Sequence, residues 1–577
     1  MIAAVLATSL FAGIAVRPAR VPLVAAALLV GFGLWTAVSI AWSPLPSLAR
    51  DDALLSLLYA GAFLTPLLTL RTQADRLLAA TVAVLALALL AVVTAIEVHG
   101  ASSAADVYTE ARLDFPVSYW NGAAALFLVG VWPAIALSAD RRLGPALRAL
   151  SLAGATAMVT DWLMTQSKGG AVALAVSGVV FLVVTRERLR ALVPVLVVGV
   201  LAAAGAGALT APYRSTQRGL LGAVHHAGTV TLALTGIALA CGLVYALADQ
   251  RLVLPRSLSP RIGKALAVVL ACGALGGVAG FFAEVAHPIG FVQQHWASFK
   301  QLPTHDTASS HFTSLGSSRY DYYRVAFREF EQHPLIGMGG HGWPAAYLQY
   351  GKTIEAPERS HSLELDALSE TGIIGFLLIV GAGVLGLASG SRSRGAPLLP
   401  AALVGAGVYL ATHTAIDWVW SIPSVGLAGL TLVGIGASRS ARPSLQPRTA
   451  IAGGLIVAAV AVLGFAPPWL SVRFTDDAYG QPPAAQTTSL DWAERLDPLS
   501  VDPLLAQAAL ATSPHDISPL ERAVAKQPGD SEVHYLLGLA DLNAHRKAAA
   551  RRQLLIAERL SPRDPVIRAA VRRAGPA

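Results

Sequence analysis

What most constrains this chain is the recurrence of uninterrupted apolar runs of about 17 to 22 residues along most of its length. A run of that length, wound as a helix, closes its own backbone hydrogen bonds and spans a hydrocarbon layer about 30 Å thick. Such runs fall near 2–16, 22–42, 53–70, 77–98, 120–138, 147–165, 169–185, 190–210, 228–248, 263–285, 372–390, 396–415, 418–437 and 449–466. Composition closes off a soluble alternative: 54% of the 577 residues are hydrophobic and 14% charged, with a mean hydropathy of +0.56. The expectation is an all-α polytopic membrane protein with about fourteen transmembrane helices, followed by a small helical-repeat C-terminal domain. The first run lacks a basic start and a cleavage site, so it reads as a span rather than a removable leader. Cys241 and Cys272 both fall inside apolar runs and offer no disulfide framework or metal cluster.

Positive charge alternates between loops. "RPAR", "RTQADR", "DRRLGPALR", "TRERLR", "RLVLPRSLSPR", "SRSR" and "SRSARPSLQPR" occupy alternate connections, and the intervening ones carry few cations. The positive-inside rule then places the basic set in the cytoplasm. It puts the long polar loop 286–371 and the tail after Phe465 outside. The net charge of +8 is on this reading a topology signal, and no nucleic-acid partner follows from it.

Four regions follow: spans at 1–285, a large extracytoplasmic loop at 286–371, further spans at 372–466, and an extracytoplasmic tail at 467–577. Within the tail, "SEVHYLLGLADLNAHRKAAARRQLLIAERLSPRD" resembles a tetratricopeptide repeat. Leu537-Gly538, Ala550, Leu554, Ala557 and Pro562 stand where that motif packs two antiparallel helices, while Asp541 replaces its usual tyrosine. A more degenerate pair precedes it. Repeats need neighbours, so about two irregular units form a cap or docking surface for an envelope protein partner.

Two polar islands interrupt the apolar pattern: "SRYDYYRVAFREFEQHPLIGMGGHGW" and "ERSHSLELDALSETGIIG". Both resemble the signature motifs of the O-antigen ligase and O-antigen polymerase family: an arginine opening an amphipathic helix that ends in a His-Pro-Leu-x-Gly-x-Gly turn, and a His-Ser pair leading through Leu, Glu and Gly into the next span. "RLDFPVSYWNGAAA" and "SKGGAVALAVSG" are similar to further family segments, and "HTAIDWVWSIP" to actinobacterial members. The resemblance covers about Arg112 to Pro423 and implies a GT-C-like bundle. It implies transfer of a glycan from a polyprenyl-diphosphate-linked donor to a hydroxyl acceptor at the outer membrane face, inverting and with no metal or other cofactor. The partners implied are that lipid-linked glycan, membrane lipids, and a glycan, lipid or protein acceptor. An actinobacterial cell lacks lipopolysaccharide, which favours a cell-wall or capsular glycan or a protein. The motifs do not separate ligase from polymerase.

The resemblance assigns Arg319 to the departing diphosphate, for which a guanidinium offers a permanently charged fork. A helix-start arginine on a solvated loop is the plainer reading. His361 is the expected general base, since a near-neutral imidazole suits removal of the acceptor proton; an interfacial cap is its alternative. Arg324 adds field or anchors at the headgroups. Glu370 orients the loop or a basic partner, or simply ends a helix. Where the family has Ser-Arg-Gly, this chain has Ser167-Lys168-Gly169, keeping charge but losing the bidentate fork. Either Lys168 binds one phosphate oxygen, or Arg214 or Arg218 in the next outer loop supplies the second contact. Arg112 and Asn121, with Tyr119 and Trp120, suit a sugar ring but also suit interface anchoring. Gly337, Gly339 and Gly340 read as a turn, with close approach of a lipid phosphate as the alternative.

Two rival classes remain at this stage. Asp51-Asp52 at a helix start suit a divalent ion, although such residues also cap helices. A transporter or lipid flippase for an envelope precursor would place ionisable groups within spans; here they are sparse, with Asp161 and Asp417 near span ends.

Overall fold

The structure is a computed structural model that describes residues 2–251, 296–297, 300, 318–390, 397–439, 442–511, 513 and 516–575. The expected span 263–285, and with it Cys272, lies outside the described residues, as does most of 286–317.

In chain order the helices are α1 (Ile2–Phe11), α2 (Arg20–Ser39), α3 (Pro46–Thr69), α4 (Gln73–Gly100), α5 (Trp120–Leu128), α6 (Val131–Ser138), α7 (Pro145–Thr165), α8 (Lys168–Val184), α9 (Arg188–Leu209), α10 (Ala211–Arg214) and α11 (Gln217–Arg251). After the loop come α12 (Arg319–Gln332), α13 (Trp343–Tyr350), α14 (Leu363–Gly390), α15 (Leu398–Ile416), α16 (Pro423–Ala437) and α17 (Pro447–Ala459). Nine helices among the described residues are long and apolar enough to cross a membrane, with α5 and α6 acting as one such segment and α9 with α10 as another. The first expected span is helical only over Ile2–Phe11, about 15 Å at the α-helical rise. Beyond it Val16 donates its backbone N–H to Leu68 at 2.8 Å and bridges Ser444. The run expected at 418–437 begins its helix only at Pro423, after a single 3₁₀ turn at Val419–Ser421. Proline's fixed φ and missing N–H suit that first helical position.

Local chemistry sets the helix ends. Thr72 and Asp75 form a capping box that starts α4, with Asp75 N–H to Thr72 Oγ1 at 3.0 Å and Thr72 N–H to Asp75 Oδ2 at 2.8 Å. At the opposite membrane end, α7 stops at Gln166 in the left-handed region, and the Ser167 hydroxyl accepts from Gly170 N–H at 3.1 Å to start α8. Small residues then let helices approach closely. A Cβ on Gly154 would stand 2.4 Å from Ala88 Cβ, and one on Gly434 2.6 Å from the Phe63 carbonyl. The two-stranded hairpin β1 (Tyr108–Thr109) and β2 (Arg112–Leu113) pairs Tyr108 with Leu113 and Thr109 with Arg112.

The loop and α14 interlock. Gly372, at φ +66°, breaks α14, which frees backbone groups on both sides of the break. Met338 N–H donates to the Ser369 carbonyl and Gly339 N–H to the Glu370 carbonyl, each at 2.9 Å, while Ile373 N–H donates to Pro334 at 2.9 Å. The "HPLIGMGG" turn therefore satisfies the groups exposed by the break in "SETGIIG". Contact is backbone to backbone: a Cβ on Gly337 would lie 2.2 Å from the Glu370 carbonyl carbon, and one on Gly372 2.3 Å from the Leu335 oxygen.

The α17 helix passes through a π-helical turn at Val460–Phe465 into α18 (Ala466–Ala478). Pro467 and Pro468 have no N–H for the ordinary i→i−4 bonds there. The tail continues as α19 (Pro483–Leu496), α20 (Asp502–Leu510), α21 (Ser518–Lys526), α22 (Ser531–Asn543), α23 (Lys547–Leu560) and α24 (Pro565–Ala574). Leu537, Ala550, Leu554 and Ala557 are buried where α22 meets α23, and Gly538 admits the Leu554 side chain. Asp541 pairs with Arg546 at 2.7 Å. The tail rests on the loop end of the bundle: Arg50 bonds Asp497, Gln527 Nε2 meets Ser47 Oγ at 3.0 Å, and Arg563 reaches the Gln349 carbonyl at 3.2 Å.

Candidate active site

Asp417 is where the expected catalytic residues meet. It follows the last residue of α15 and is fully buried. Its Oδ2 accepts from Arg319 at 2.7 Å and from Asn121 Nδ2 at 2.6 Å. Its Oδ1 faces the Tyr119 hydroxyl at 2.7 Å, its neighbour Trp418 N–H at 2.8 Å and His361 Nδ1 at 3.2 Å. Burial opposes the charged carboxylate, but Arg319, then His361, more than offset it and hold the group far below the usual carboxylate range. Arg319 is raised in turn: burial works against its charge, and Asp417 outweighs that penalty.

Aromatic rings enclose this centre. His361 sits at φ +64°, its ring stacked on Tyr322 with centroids 5.4 Å apart, and Trp418 lies edge-on to it at 6.5 Å. Tyr322 donates to Glu355 Oε2 at 2.7 Å, which fixes the ring under the imidazole.

A second charged cluster lies alongside. Arg359 donates to Asp52 Oδ1 at 2.5 Å and stands 3.6 Å from Glu370 Oε2, while His341 Nδ1 is 3.1 Å from Asp52 Oδ2. Burial disfavours the Arg359 charge, yet Asp52 and then Glu370 raise its pKa well above the ordinary guanidinium value. Asp51 turns away to pair with Arg50 at 2.8 Å, so Asp51 and Asp52 do not converge on one point. Glu370 also accepts from Trp343 N–H at 3.4 Å.

The other expected residues divide by position. Arg112 is buried, donates Nε to the Thr165 carbonyl at 3.0 Å and lies 4.3 Å over the Trp120 ring; burial pulls its pKa down to about 10. Lys168 opens α8, whose next residue, Gly169, packs on His413 one turn before Asp417. Arg324 spans Asp321 at 2.9 Å and the Tyr350 carbonyl at 2.7 Å, tying α12 to α13. Arg214 bonds back to Gly207 and Thr210 at the end of α9, and Arg218 is exposed on α11.

The match that bears on identity covers most of these residues. The O-antigen ligase family model matches residues 153–380. The O-antigen ligase match takes in Lys168, Arg319, Arg359, His361 and Glu370, and it supports a multi-pass membrane enzyme of the ligase or polymerase type. Asp417, Arg112, Asn121 and the tail lie beyond the matched segment. No curated protein matches the chain.

The sequence alone does not single out Arg359 or give Asp417 a place in the site. Arg359 stands two residues before His361 inside "ERSHSLELDALSETGIIG", and Asp417 is a carboxylate closing an apolar helix. An ionisable group at such a boundary carries a functional signal in a membrane protein.

Proposed function

We propose that the protein transfers a glycan from a polyprenyl diphosphate to a hydroxyl acceptor at the outer membrane face, by direct displacement without a metal. What carries this reading is one buried carboxylate holding both Arg319 and His361. With Nδ1 of His361 donating to Asp417, Nε2 is the basic nitrogen and takes the acceptor proton. The acceptor oxygen bonds to the anomeric carbon as the bond to the diphosphate breaks, and the electron pair leaves with the phosphate. Arg319 neutralises that charge; its contact with Asp417 occupies one of five N–H groups. Because bond making and breaking take opposite faces, the anomeric centre inverts.

Lys168 is assigned a second phosphate contact, Asn121 and Arg112 the frame of the sugar side, Arg324 the bracing of the loop, and Glu370 the orientation of Arg359. Arg214 and Arg218 stand as alternative anion contacts at the outer rim. The tail is assigned a tetratricopeptide-like docking role outside the membrane.

The test uses protein reconstituted in vesicles with a labelled lipid-diphosphate glycan. His361→Ala is expected to bind donor normally and lose about two to four orders of magnitude in transfer, while Arg319→Ala loses binding as well. Normal turnover by His361→Ala, or movement of the lipid without glycan transfer, overturns the reading. Product length separates polymerase from ligase.

A further inference from the structure

The membrane end opposite His361 holds a cavity of about 850 Å³ with a strongly basic lining. The α14 helix starts two residues after His361 and its last residue, Gly390, lines this cavity. Beyond the break at Gly372 the helix runs unbroken to Gly390, on the order of 27 Å at the α-helical rise, which carries the chain from the His361 end to the cavity.

Five arginines line the cavity, Arg76, Arg141, Arg142, Arg190 and Arg439, against three carboxylates: Asp140 and Glu187 in the lining, and Asp249, which Arg141 bonds at 2.7 Å and Arg190 approaches at 3.7 Å. They come from separate elements: Arg76 from the first turn of α4, Arg190 from the first turn of α9, Arg439 from beyond α16, and Arg141 and Arg142 from the α6–α7 connection. Several are held in place. Arg142 pairs with Asp140 at 2.6 Å, Arg190 with Glu187 at 3.0 Å and with the Ala139 carbonyl at 3.0 Å, and Arg439 bonds the Ser389 carbonyl. The first turn of α15, which has no side-chain cap, adds the positive end of a 19-residue helix to the same wall. Leu77, Leu399 and Leu403 supply an aliphatic side.

Loop arginines alone satisfy a topology rule, and that rule does not require them to surround one cavity. An excess of guanidinium over carboxylate, a helix N-terminus and an apolar flank together match a phosphate carried on an amphiphile or in solution. We propose that this cavity binds a phosphate-bearing anion at the membrane end opposite the transfer site. The phosphate belongs either to an anionic lipid headgroup or to a soluble compound.

Full-length protein in detergent is titrated with short-chain phosphatidylglycerol, with phosphatidylcholine as the zwitterionic control, and separately with inorganic phosphate, reading the melting temperature. A saturable rise with phosphatidylglycerol alone identifies a lipid; a rise with inorganic phosphate identifies a soluble source. Either rise is expected to need at least tenfold more ligand in Arg76→Gln/Arg439→Gln and to be unchanged in Arg17→Gln/Arg20→Gln, whose exposed arginines do not line the cavity. A parallel footprint on the unmodified protein avoids any folding defect of the variants. Phenylglyoxal labelling of Arg142, Arg190 and Arg439 is expected to fall at least fivefold with the active probe, and labelling of Arg17 and Arg20 to stay constant. No rise with either probe, an equal response in both variant pairs, or unprotected cavity arginines overturns the proposal.

Discussion

Arg359 reaches back across 307 positions to place its guanidinium 2.5 Å from Asp52 Oδ1. The same guanidinium lies 3.6 Å from Glu370, so one buried cation serves carboxylates on α3 and α14. Removing it leaves both without their cation, and breaking a buried pair typically costs about 3–5 kcal/mol. Arg359→Leu is therefore expected to lower the melting temperature sharply. Adding Asp52→Asn and Glu370→Gln to that variant should recover part of the loss. A triple variant no more stable than Arg359→Leu would show that the cluster does not act as a unit.

The glycine break gives a sharper contrast within one helix. Gly372→Ala places a Cβ 2.3 Å from the Leu335 oxygen at a residue of positive φ, while Gly383 on the same helix has open space at the equivalent point. Gly372 sits at φ +66°, ψ −168°, a region essentially reserved to glycine, where another residue alone costs about 1–3 kcal/mol, and the backbone clash adds to it. Gly372→Ala should reduce folded yield and thermal stability markedly, and Gly383→Ala should match the parent. Gly337→Ala should behave like Gly372→Ala, since the two glycines serve one backbone contact.

Much of this architecture is legible in the sequence because its causes are local. Apolar runs and paired glycines each act over a few residues, and the two loop motifs announce where polar chemistry gathers. Distant partners leave no such trace. Asp417 lies 98 positions from Arg319 and 56 from His361, a separation that no helical or strand period encodes. The glycines were legible as a turn, but their partner was not: they meet the broken backbone of α14. Asp52 suited a divalent ion on paper, whereas its two oxygens face Arg359 and His341.

The tail's seat on the bundle also predicts a measurable coupling. Arg50 pairs with Asp497 in α19's C-terminal cap, next to the Asp51–Asp52 segment that meets Arg359. Arg50→Glu should loosen the tail and speed its release by limited proteolysis in vesicles. Combining it with Asp497→Arg should restore resistance, because the pair is re-formed with reversed charges. Equal cleavage of parent and Arg50→Glu would show that the remaining contacts, at Ser47 and Gln349, hold the tail without it.

Asp417 carries the clearest pH prediction. Its folded pKa is depressed well below the ordinary value, which is about 3.9 for an unperturbed aspartate. A depressed folded pKa contributes stability that is fully present above the unfolded value and is lost as pH falls through the folded one. From neutral pH down to about 5 this contribution should be constant, and it should decline only in more acidic solution. Asp417→Asn removes it, leaving the half-buried Arg319 without its anion and His361 without its Nδ1 acceptor. The variant should therefore be less stable than the parent at pH 7, and the gap should narrow below about pH 4 as the unfolded parent chain takes up the proton. Transfer should also collapse in Asp417→Asn, since the imidazole loses its orientation together with the arginine. Melting curves from pH 7 to 3 for parent and Asp417→Asn test the first point. A gap that does not change with pH would mean that Asp417 acts by shape rather than by charge.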